Sequence, residues 1–138
     1  MGCAERWPRD ISAISAWSLS AALQAHPLCK RVVEIETREF AADQFIFKIR
    51  AEFTHKTSFQ ARIYFNRGHI DYAYQLFADT PLLRWDNKEE FRSITTYPHH
   101  HHDAQGDIAP SPLTGDPIAD LQTVLVMVSQ FLSTYKPE

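Results

Sequence analysis

The chain has 138 residues, a net charge of −3 at pH 7 and a hydrophobic fraction of 44%. This length predicts one domain, residues 1–138, with a core that needs neither disulfides nor a metal. The apolar content excludes a disordered protein, and the slight acidity confines any nucleic-acid surface to a local patch. Two cysteines in no CxxC pair, no apolar leader and no long apolar run indicate a cytoplasmic protein without a membrane segment.

The first predicted element is a helix over "DISAISAWSLSAALQAHP", where apolar residues recur at helical spacing. Asp10 is suited to cap its start, and Pro27 marks its end. We expect residues 1–9, which precede the helix, to be flexible.

From Lys30 onward the apolar period changes to two, which predicts strands. The alternation is clearest in "QFIFKIRAEF" and "SFQARIYF". "NRG" predicts a hairpin that leads into "HIDYAYQLF", and "PLLRW" predicts a short edge strand because Pro81 opens it. Consecutive strands with short polar connections indicate an antiparallel meander with one apolar face.

The C-terminal third is predicted to contain less regular structure and then a second helix. "FRSITTYP" is expected to be extended, and residues 103–117 to form a loop rich in Pro, Gly and Asp. Asp116 and Pro117 are suited to the cap and first position of a helix over "IADLQTVLVMVSQFLSTY". The fold class is therefore α+β, a four- to five-stranded antiparallel meander flanked by an N-terminal and a C-terminal helix on one face.

Four consecutive histidines, His99 to His102, lie inside the chain, which argues against a purification tag. In an extended segment His99 and His101 point one way and His100 and His102 the other. Three interpretations stay open from these residues. They can be polar loop residues, or they can act as acid and base because imidazole titrates near about 6.5. Alternatively, a pair can ligate a metal together with Asp103 or Asp107, which is fewer ligands than zinc usually has.

The segment "LLRWDN" is a second candidate. Arg84 and Trp85 can contact a phosphate and a base, while Asp86 and Asn87 can orient an imidazole or hold a turn. The alternative interpretation is that Trp85 belongs to the core and that "DNK" is an ordinary turn.

A basic strip is the third candidate. Its members alternate with the apolar rows of the predicted sheet and are Lys48, Arg50, Arg62 and Tyr64. Cations beside an aromatic ring suit single-stranded nucleic acid. The alternative is a solvated face in which these cations pair with the glutamates Glu34, Glu36 and Glu52.

The tyrosine-containing strand, "LLRWDN" and "YPHHHH", taken in this order and spacing, resemble the TumE-like toxins of bacterial toxin–antitoxin systems. The resemblance covers about residues 28 to 134. Its most specific positions are Arg84, Trp85, Asp86, Asn87, Pro98, His99, His100 and His102. His101 is the departure, because these toxins usually have Lys there, and this puts a phosphate-binding role at that position in doubt.

The resemblance implies a growth-inhibiting toxin whose cognate antitoxin is often a helix-turn-helix DNA-binding protein. RNA cleavage is the class expectation for such toxins. We therefore predict a metal-independent ribonuclease without a cofactor. His100 and His102 are its predicted acid–base pair, supported by His99, with Arg84 on the phosphate and Asp86 orienting an imidazole or the motif loop. The predicted substrate contacts are Trp85, Asn87, Lys48, Arg50, Arg62 and Tyr64.

Two alternatives from other classes accompany this hypothesis. One is a non-catalytic module that binds nucleic acid or protein through the basic strip. The other is a metal-dependent nuclease or nucleotide-modifying enzyme that uses His100 and His102 with Asp103 and Asp107. Homo-oligomerisation is left open.

Overall fold

A computed structural model describes residues 11–137, with side chains described from Trp17 onward. The expected flexibility of residues 1–9 and the cap at Asp10 lie outside the described residues. The elements are α1 (Ile11–Ala25), β1 (Cys29–Ala41), β2 (Gln44–Phe53), β3 (Thr57–Asn66), β4 (His69–Phe77), β5 (Pro81–Asp86), β6 (His100–His102), β7 (Ile108–Pro110) and α2 (Pro117–Leu132).

The strands form one antiparallel sheet in the order β1-β2-β3-β4-β5-β6-β7, a simple meander. The α+β class with an N-terminal and a C-terminal helix is confirmed, but the count of four to five strands is wrong. Strands β6 and β7 have three residues each, and β7 falls inside the predicted loop 103–117. Such short strands carry no readable alternation, and they form instead by backbone pairing, β6 with β5 and β7 with β6. The "FRSITTYP" segment, predicted to be extended, forms turns.

Two tight hairpins fix the register of the central strands. His55 and Lys56 have φ of 62° and 58°, and Arg67 and Gly68 have φ of 53° and 89°. The turn between β3 and β4 has two residues, and positive φ at both of them matches the twist of the strands it joins, whereas three residues, Thr54 to Lys56, connect β2 to β3. The hairpin predicted from "NRG" is therefore confirmed, and strands β2, β3 and β4 pair without a register shift.

One face of the sheet, the core face, packs against both helices. Its largest fully buried side chains include Phe47, Phe59, Tyr74 and Trp85. The helices add apolar residues to the same cluster: Leu19, Leu23, Leu121, Val124, Leu125, Val128 and Leu132. The opposite face, here called the outer face, carries the polar side chains of the same strands, so it is the side on which a partner or substrate can bind.

The start of α2 is anchored by two aspartates. Asp116 accepts hydrogen bonds from the backbone N–H groups of Ile118 and Ala119, which confirms the predicted cap, and Pro117 opens the helix. The buried carboxylate of Asp120 accepts from the N–H groups of Thr114 and Gly115. These bonds fix the segment that leads from β7 into the helix.

A second anchor ties that segment to the histidine run. The Thr96 hydroxyl donates to the backbone carbonyl of His99 at 2.6 Å and accepts from the backbone N–H of Ser111 at 2.9 Å. The backbone just before β6 and just after β7 is therefore held in place. No helix within residues 11–137 has the length and apolar character needed to cross a membrane.

Candidate functional site: a histidine–aspartate cluster on the outer face

The candidate site is built by the pairing of β5 with β6. In this ladder Arg84 lies opposite His102, Trp85 opposite His101 and Asp86 opposite His100. Directly paired residues share a face and neighbours in sequence alternate between faces. The pairing therefore brings Arg84, Asp86, His100 and His102 together on the outer face.

The Asp86 carboxylate is the centre of this group. Its Oδ1 lies 3.0 Å from Nε2 of His100, and its Oδ2 lies 3.6 Å from Nε2 of His102. Oδ2 also accepts a 2.8 Å hydrogen bond from Nε of Arg84. Because the carboxylate is only 7% exposed, these neighbours compensate the cost of removing its charge from water.

Backbone groups hold the cluster from both sides. The N–H of Lys88 donates to Oδ1 of Asp86 at 2.9 Å, and Nδ1 of His100 lies 3.1 Å from the carbonyl of Pro98. A carbonyl can only accept, so Nδ1 of His100 carries a hydrogen. Nε2 then faces Asp86, but it makes no hydrogen bond of acceptable angle within the described part of the chain.

Phe91 covers the two imidazoles. Its ring lies edge-on to His100 with centroids 4.7 Å apart and to His102 at 6.0 Å. The two imidazoles are themselves 5.0 Å apart between centroids. The apolar ring above them excludes water from one side and restricts their rotation.

His102 is the more accessible of the two imidazoles. Its side chain is 31% exposed, whereas that of His100 is 1% exposed. Partial burial lowers the pKa of His102, and the Asp86 carboxylate partly opposes that shift. His102 therefore presents a mainly neutral imidazole that solvent and solutes can reach.

The other two histidines of the run face the core side, as the alternation predicted. The ring of His101 stacks on Trp85 at 4.7 Å, and its Nδ1 donates to the carbonyl of Arg84. Nδ1 of His99 lies 2.7 Å from the hydroxyl of Tyr72. Burial lowers the pKa of both imidazoles and raises that of the Tyr72 hydroxyl.

Arg84 spans the cluster and a neighbouring cleft. Its Nη1 donates to Gln75 at 3.3 Å, and 40% of its side chain is exposed. The cleft has a volume of about 460 Å³ and is lined by Leu82, Gln75, Arg84, His102 and Gln105 among others. A guanidinium and an imidazole on the wall of a half-open cleft suit an anionic ligand.

Trp85 and Asn87, predicted substrate contacts, lie inside the protein. Trp85 is 0% exposed on the core face. The Asn87 side chain accepts from the N–H of Tyr72 and donates to the carbonyl of Ile70, so it extends the ladder to β4. Both side chains are thus engaged in packing and backbone pairing.

The basic strip does lie on the outer face, although part of its charge is paired. Lys48 is 3.6 Å from Glu34, and Arg50 donates to Gln60 and stacks over Phe77. Arg62 is exposed and makes no ion pair within the described residues. Arg62 and Arg84 line a smaller groove of about 160 Å³ that connects the strip with the cluster.

Asp103, a predicted metal ligand, lies in the turn after β6. Its carboxylate accepts from the N–H groups of Gln105 and Asp107. The group of potential metal ligands within residues 11–137 is instead Asp86, His100 and His102, whose ligand atoms lie within 4.8 Å of one another. The carboxylate in that group comes from β5, 14 positions before His100 in the chain.

With this geometry established, comparison with protein families gives a match to the model for toxin TumE over residues 20–132. The chain belongs to the TumE toxin family. The matched segment contains every residue of the cluster and the whole basic strip. Neither the comparison with curated proteins nor that with solved structures found a match.

Membership of the TumE family makes this chain the toxin component of a toxin–antitoxin system, with a cognate antitoxin as its partner. The two motifs that resembled TumE-like toxins are the two strands that build the cluster. Arg84, Trp85 and Asp86 of "RWDN" end β5, and the last three histidines of the run form β6.

Contributors to the site that sequence reasoning missed include the ring of Phe91, the carbonyl of Pro98 and the amide of Gln75. Phe91 is an apolar residue alone within the charged segment "DNKEEFR", and that isolation is a usable signal. The contacts made by Pro98 and Gln75 depend on backbone geometry and strand register, and no local sequence pattern indicates them.

Proposed function

We propose that this TumE-family toxin inhibits growth by binding and cleaving RNA at the outer-face cluster. The observation that carries the proposal is the solvent-reachable imidazole of His102 beside the Arg84 guanidinium and the buried Asp86 carboxylate. An imidazole that can accept a proton and a cation that can bind a phosphate are two of the groups that RNA phosphodiester cleavage uses.

The proposed reaction is an internal transesterification. His102 accepts the proton of a ribose 2′-hydroxyl, and the 2′-oxygen forms a bond to phosphorus while the bond to the 5′-oxygen breaks. The leaving 5′-oxygen takes a proton from solvent, and His102 returns its proton to solvent. The products are a 2′,3′-cyclic phosphate and a 5′-hydroxyl, and Arg84 stabilises the charge on the phosphate oxygens.

Asp86 and His100 have supporting roles in this proposal. Asp86 faces both imidazoles, so its negative charge stabilises His102 when His102 is protonated. His100 is buried behind Asp86, and we assign it to positioning that carboxylate rather than to contact with RNA. His99, on the other face, supports the run through Tyr72.

The outer face supplies a path for the RNA strand. Arg62 and Arg84 line the groove next to the cluster, and Lys48 continues the same row across the sheet, directly opposite Arg62. Tyr64 lies on the same face of β3, two residues after Arg62. Cations and an aromatic ring in one row suit a single strand, whose backbone is negative and whose bases stack.

The test is cleavage of a labelled single-stranded RNA by purified protein in EDTA. Wild type is expected to form cyclic-phosphate ends, and His102→Ala to slow cleavage by about 10²- to 10⁴-fold, the usual contribution of one general acid–base group. His69→Ala, an exposed histidine at the β3–β4 turn, is the matched control and should cleave normally. Equal cleavage by wild type and His102→Ala would refute the assignment.

The same experiment tests the non-catalytic alternative. If no cleavage occurs and Arg62→Glu abolishes toxicity while His102→Ala does not, the protein acts as a binding module through the basic strip.

We also propose that the antitoxin is a helix-turn-helix DNA-binding protein encoded beside the toxin. This follows from the family, in which such antitoxins are frequent, rather than from any residue of the chain. Co-expression of the neighbouring gene product should restore growth, and a rescuing neighbour without DNA-binding activity would overturn the proposal.

A further inference from the structure

The outer-face cluster has a second property that RNA cleavage does not use. Asp86, His100 and His102 each offer one ligand atom, and these atoms lie within 4.8 Å of one another. Ligand atoms bound at about 2.0–2.2 Å to one tetrahedral ion lie about 3.3–3.6 Å apart, so small rotations of these side chains bring all three atoms onto one ion. Three side chains from two paired strands therefore converge closely enough to form a candidate ligand set.

The tautomer of His100 favours coordination. Its Nδ1 donates to the carbonyl of Pro98, which leaves Nε2 as the lone-pair nitrogen of the neutral ring. Metal-ligating histidines usually have this arrangement, in which the distal nitrogen is fixed by a backbone carbonyl or a carboxylate. The Pro98 carbonyl thus orients the nitrogen that faces Asp86.

The buried Nε2 atom of His100 is the second observation. It is fully enclosed, lies 3.0 Å from a carboxylate oxygen and makes no hydrogen bond of acceptable geometry within the described residues. With no hydrogen bond between them, the His100 nitrogen and the Asp86 oxygen face each other as two potential ligand atoms. A cation shared by the two atoms satisfies both of them.

The neighbours of Asp86 determine which cation fits. Arg84 Nε and the Lys88 N–H already donate to the carboxylate, so part of its negative charge is compensated. Two imidazole nitrogens and one carboxylate oxygen suit Zn²⁺ and related transition-metal ions, whereas Mg²⁺ and Ca²⁺ prefer oxygen ligands. The exposed side of His102 leaves room for water at the remaining coordination positions.

We propose that Asp86, His100 and His102 bind one divalent transition-metal ion of the Zn²⁺ class, and that this ion blocks the toxin. Binding stands on the geometry alone. Inhibition rests on the proposed function, because a lone pair of His102 that coordinates a metal cannot accept a proton from RNA. The cluster is then a site at which metal supply regulates toxicity.

The main competing explanation is non-specific binding by four consecutive histidines. The fold separates the two cases, because His99 and His101 point to the core side and cannot join His100 and His102 on one ion. Asp86 belongs only to the proposed site. Non-specific binding by the run is insensitive to Asp86, whereas the proposed site depends on it.

The binding experiment uses full-length protein purified without metal-affinity chromatography. Zn²⁺ affinity is measured by calorimetry, and Co²⁺ is added as an absorbance probe of coordination. Wild type is expected to bind one Zn²⁺ and to give a Co²⁺ spectrum with nitrogen ligation, but to bind no Mg²⁺. Asp86→Asn and His102→Ala are each expected to weaken Zn²⁺ binding by more than about 100-fold, since even residues behind the ligands contribute 10–100-fold.

Two controls keep the result interpretable. His69→Ala removes an exposed histidine elsewhere and should leave Zn²⁺ affinity unchanged, and circular dichroism verifies that each variant folds. His102→Ala is the safer ligand variant because its side chain is partly exposed. Unchanged Zn²⁺ affinity in folded Asp86→Asn, whatever the result for His102→Ala, or no stoichiometric binding by wild type, overturns the site.

RNA cleavage with and without Zn²⁺ then tests regulation separately. The proposal predicts cleavage in EDTA and its loss at stoichiometric Zn²⁺, with recovery on chelation. Cleavage that instead requires the ion overturns both the inhibitory role and the metal-independent reaction, although the binding data still establish the site. Absence of cleavage under every condition overturns the proposed function. The metal site is then judged by the binding experiment alone.

Discussion

Strands β5 and β6 present different chemistry on their two faces. On the core face Trp85 stacks on His101 at 4.7 Å and is closed off from solvent. On the outer face Asp86 lies between His100 and His102, with Arg84 beside it. The same four-histidine run therefore contributes packing to one side and a polar cluster to the other. The face on which a histidine lies, rather than its place in the run, determines what it can do.

The largest expected effect concerns the core face. Trp85→Ala removes the largest fully buried side chain and should lower the free energy of unfolding by about 3–5 kcal/mol. Urea denaturation followed by circular dichroism measures it. Trp17→Ala is the matched control, because Trp17 is 74% exposed and its loss should change the free energy of unfolding by no more than about 0.5 kcal/mol. A loss of no more than about 0.5 kcal/mol in Trp85→Ala, equal to that of the control, would show that Trp85 is not part of the core.

A substitution in the outer-face cluster should change the rate of RNA cleavage. Asp86→Asn keeps the shape of the side chain but removes the charge that faces both imidazoles, and RNA cleavage should fall about 100-fold. Cleavage of labelled RNA measures the rate, and Asp43→Asn, an exposed aspartate in the β1–β2 turn, serves as control. If Asp86→Asn cleaves at the wild-type rate, the carboxylate has no part in the reaction.

Phe91 combines apolar packing with the chemistry of the outer face, because its ring covers the polar cluster. Phe91→Ala should reduce cleavage about tenfold by loosening the imidazoles, a share of the roughly 10²–10⁴-fold that general acid–base catalysis supplies. Phe40→Ala, which removes an exposed phenyl ring from β1, should leave the rate unchanged. A loss of stability without a change in the cleavage rate of the folded protein would make Phe91 a packing residue only.

The smallest effect is expected at Arg62, at the edge of the cluster. Arg62→Glu should weaken binding of single-stranded RNA a few-fold and reduce the slope of log K against log salt by about 1 to 2, as expected for a lost phosphate contact and an added repulsive charge. Fluorescence anisotropy at several salt concentrations measures both quantities. Arg67→Glu, at the tip of the β3–β4 turn, is the control, and equal effects at both positions would argue against a defined RNA path.

The long strands could be predicted from the sequence because their side chains alternate. In β2 and β3 every second residue from Phe45 to Phe53 and from Phe59 to Phe65 is buried, and the hairpin signal at Gly68 fixed where β3 ends. This regularity comes from one apolar and one solvated face. Strands β6 and β7 lack it because three residues contain too little pattern, and histidine has no marked preference for strands.

The composition of the site was only partly predictable. The alternation in the run correctly separated His100 and His102 from His99 and His101. That Asp86 rather than Asp103 lies next to the outer pair depends on the register of β5 against β6, which no local pattern encodes. The burial of Trp85 and Asn87 likewise follows from which face of β5 packs against the core and how that strand ends.

The most direct test compares two neighbouring positions of the run, His101→Gln and His102→Gln. The account predicts that His102→Gln abolishes RNA cleavage and growth inhibition while the melting temperature stays close to that of wild type. His101→Gln should instead lower the melting temperature and, below it, still cleave RNA. The reverse pattern, with activity lost only in His101→Gln and stability only in His102→Gln, would contradict the division of the histidine run into a packing face and a functional face.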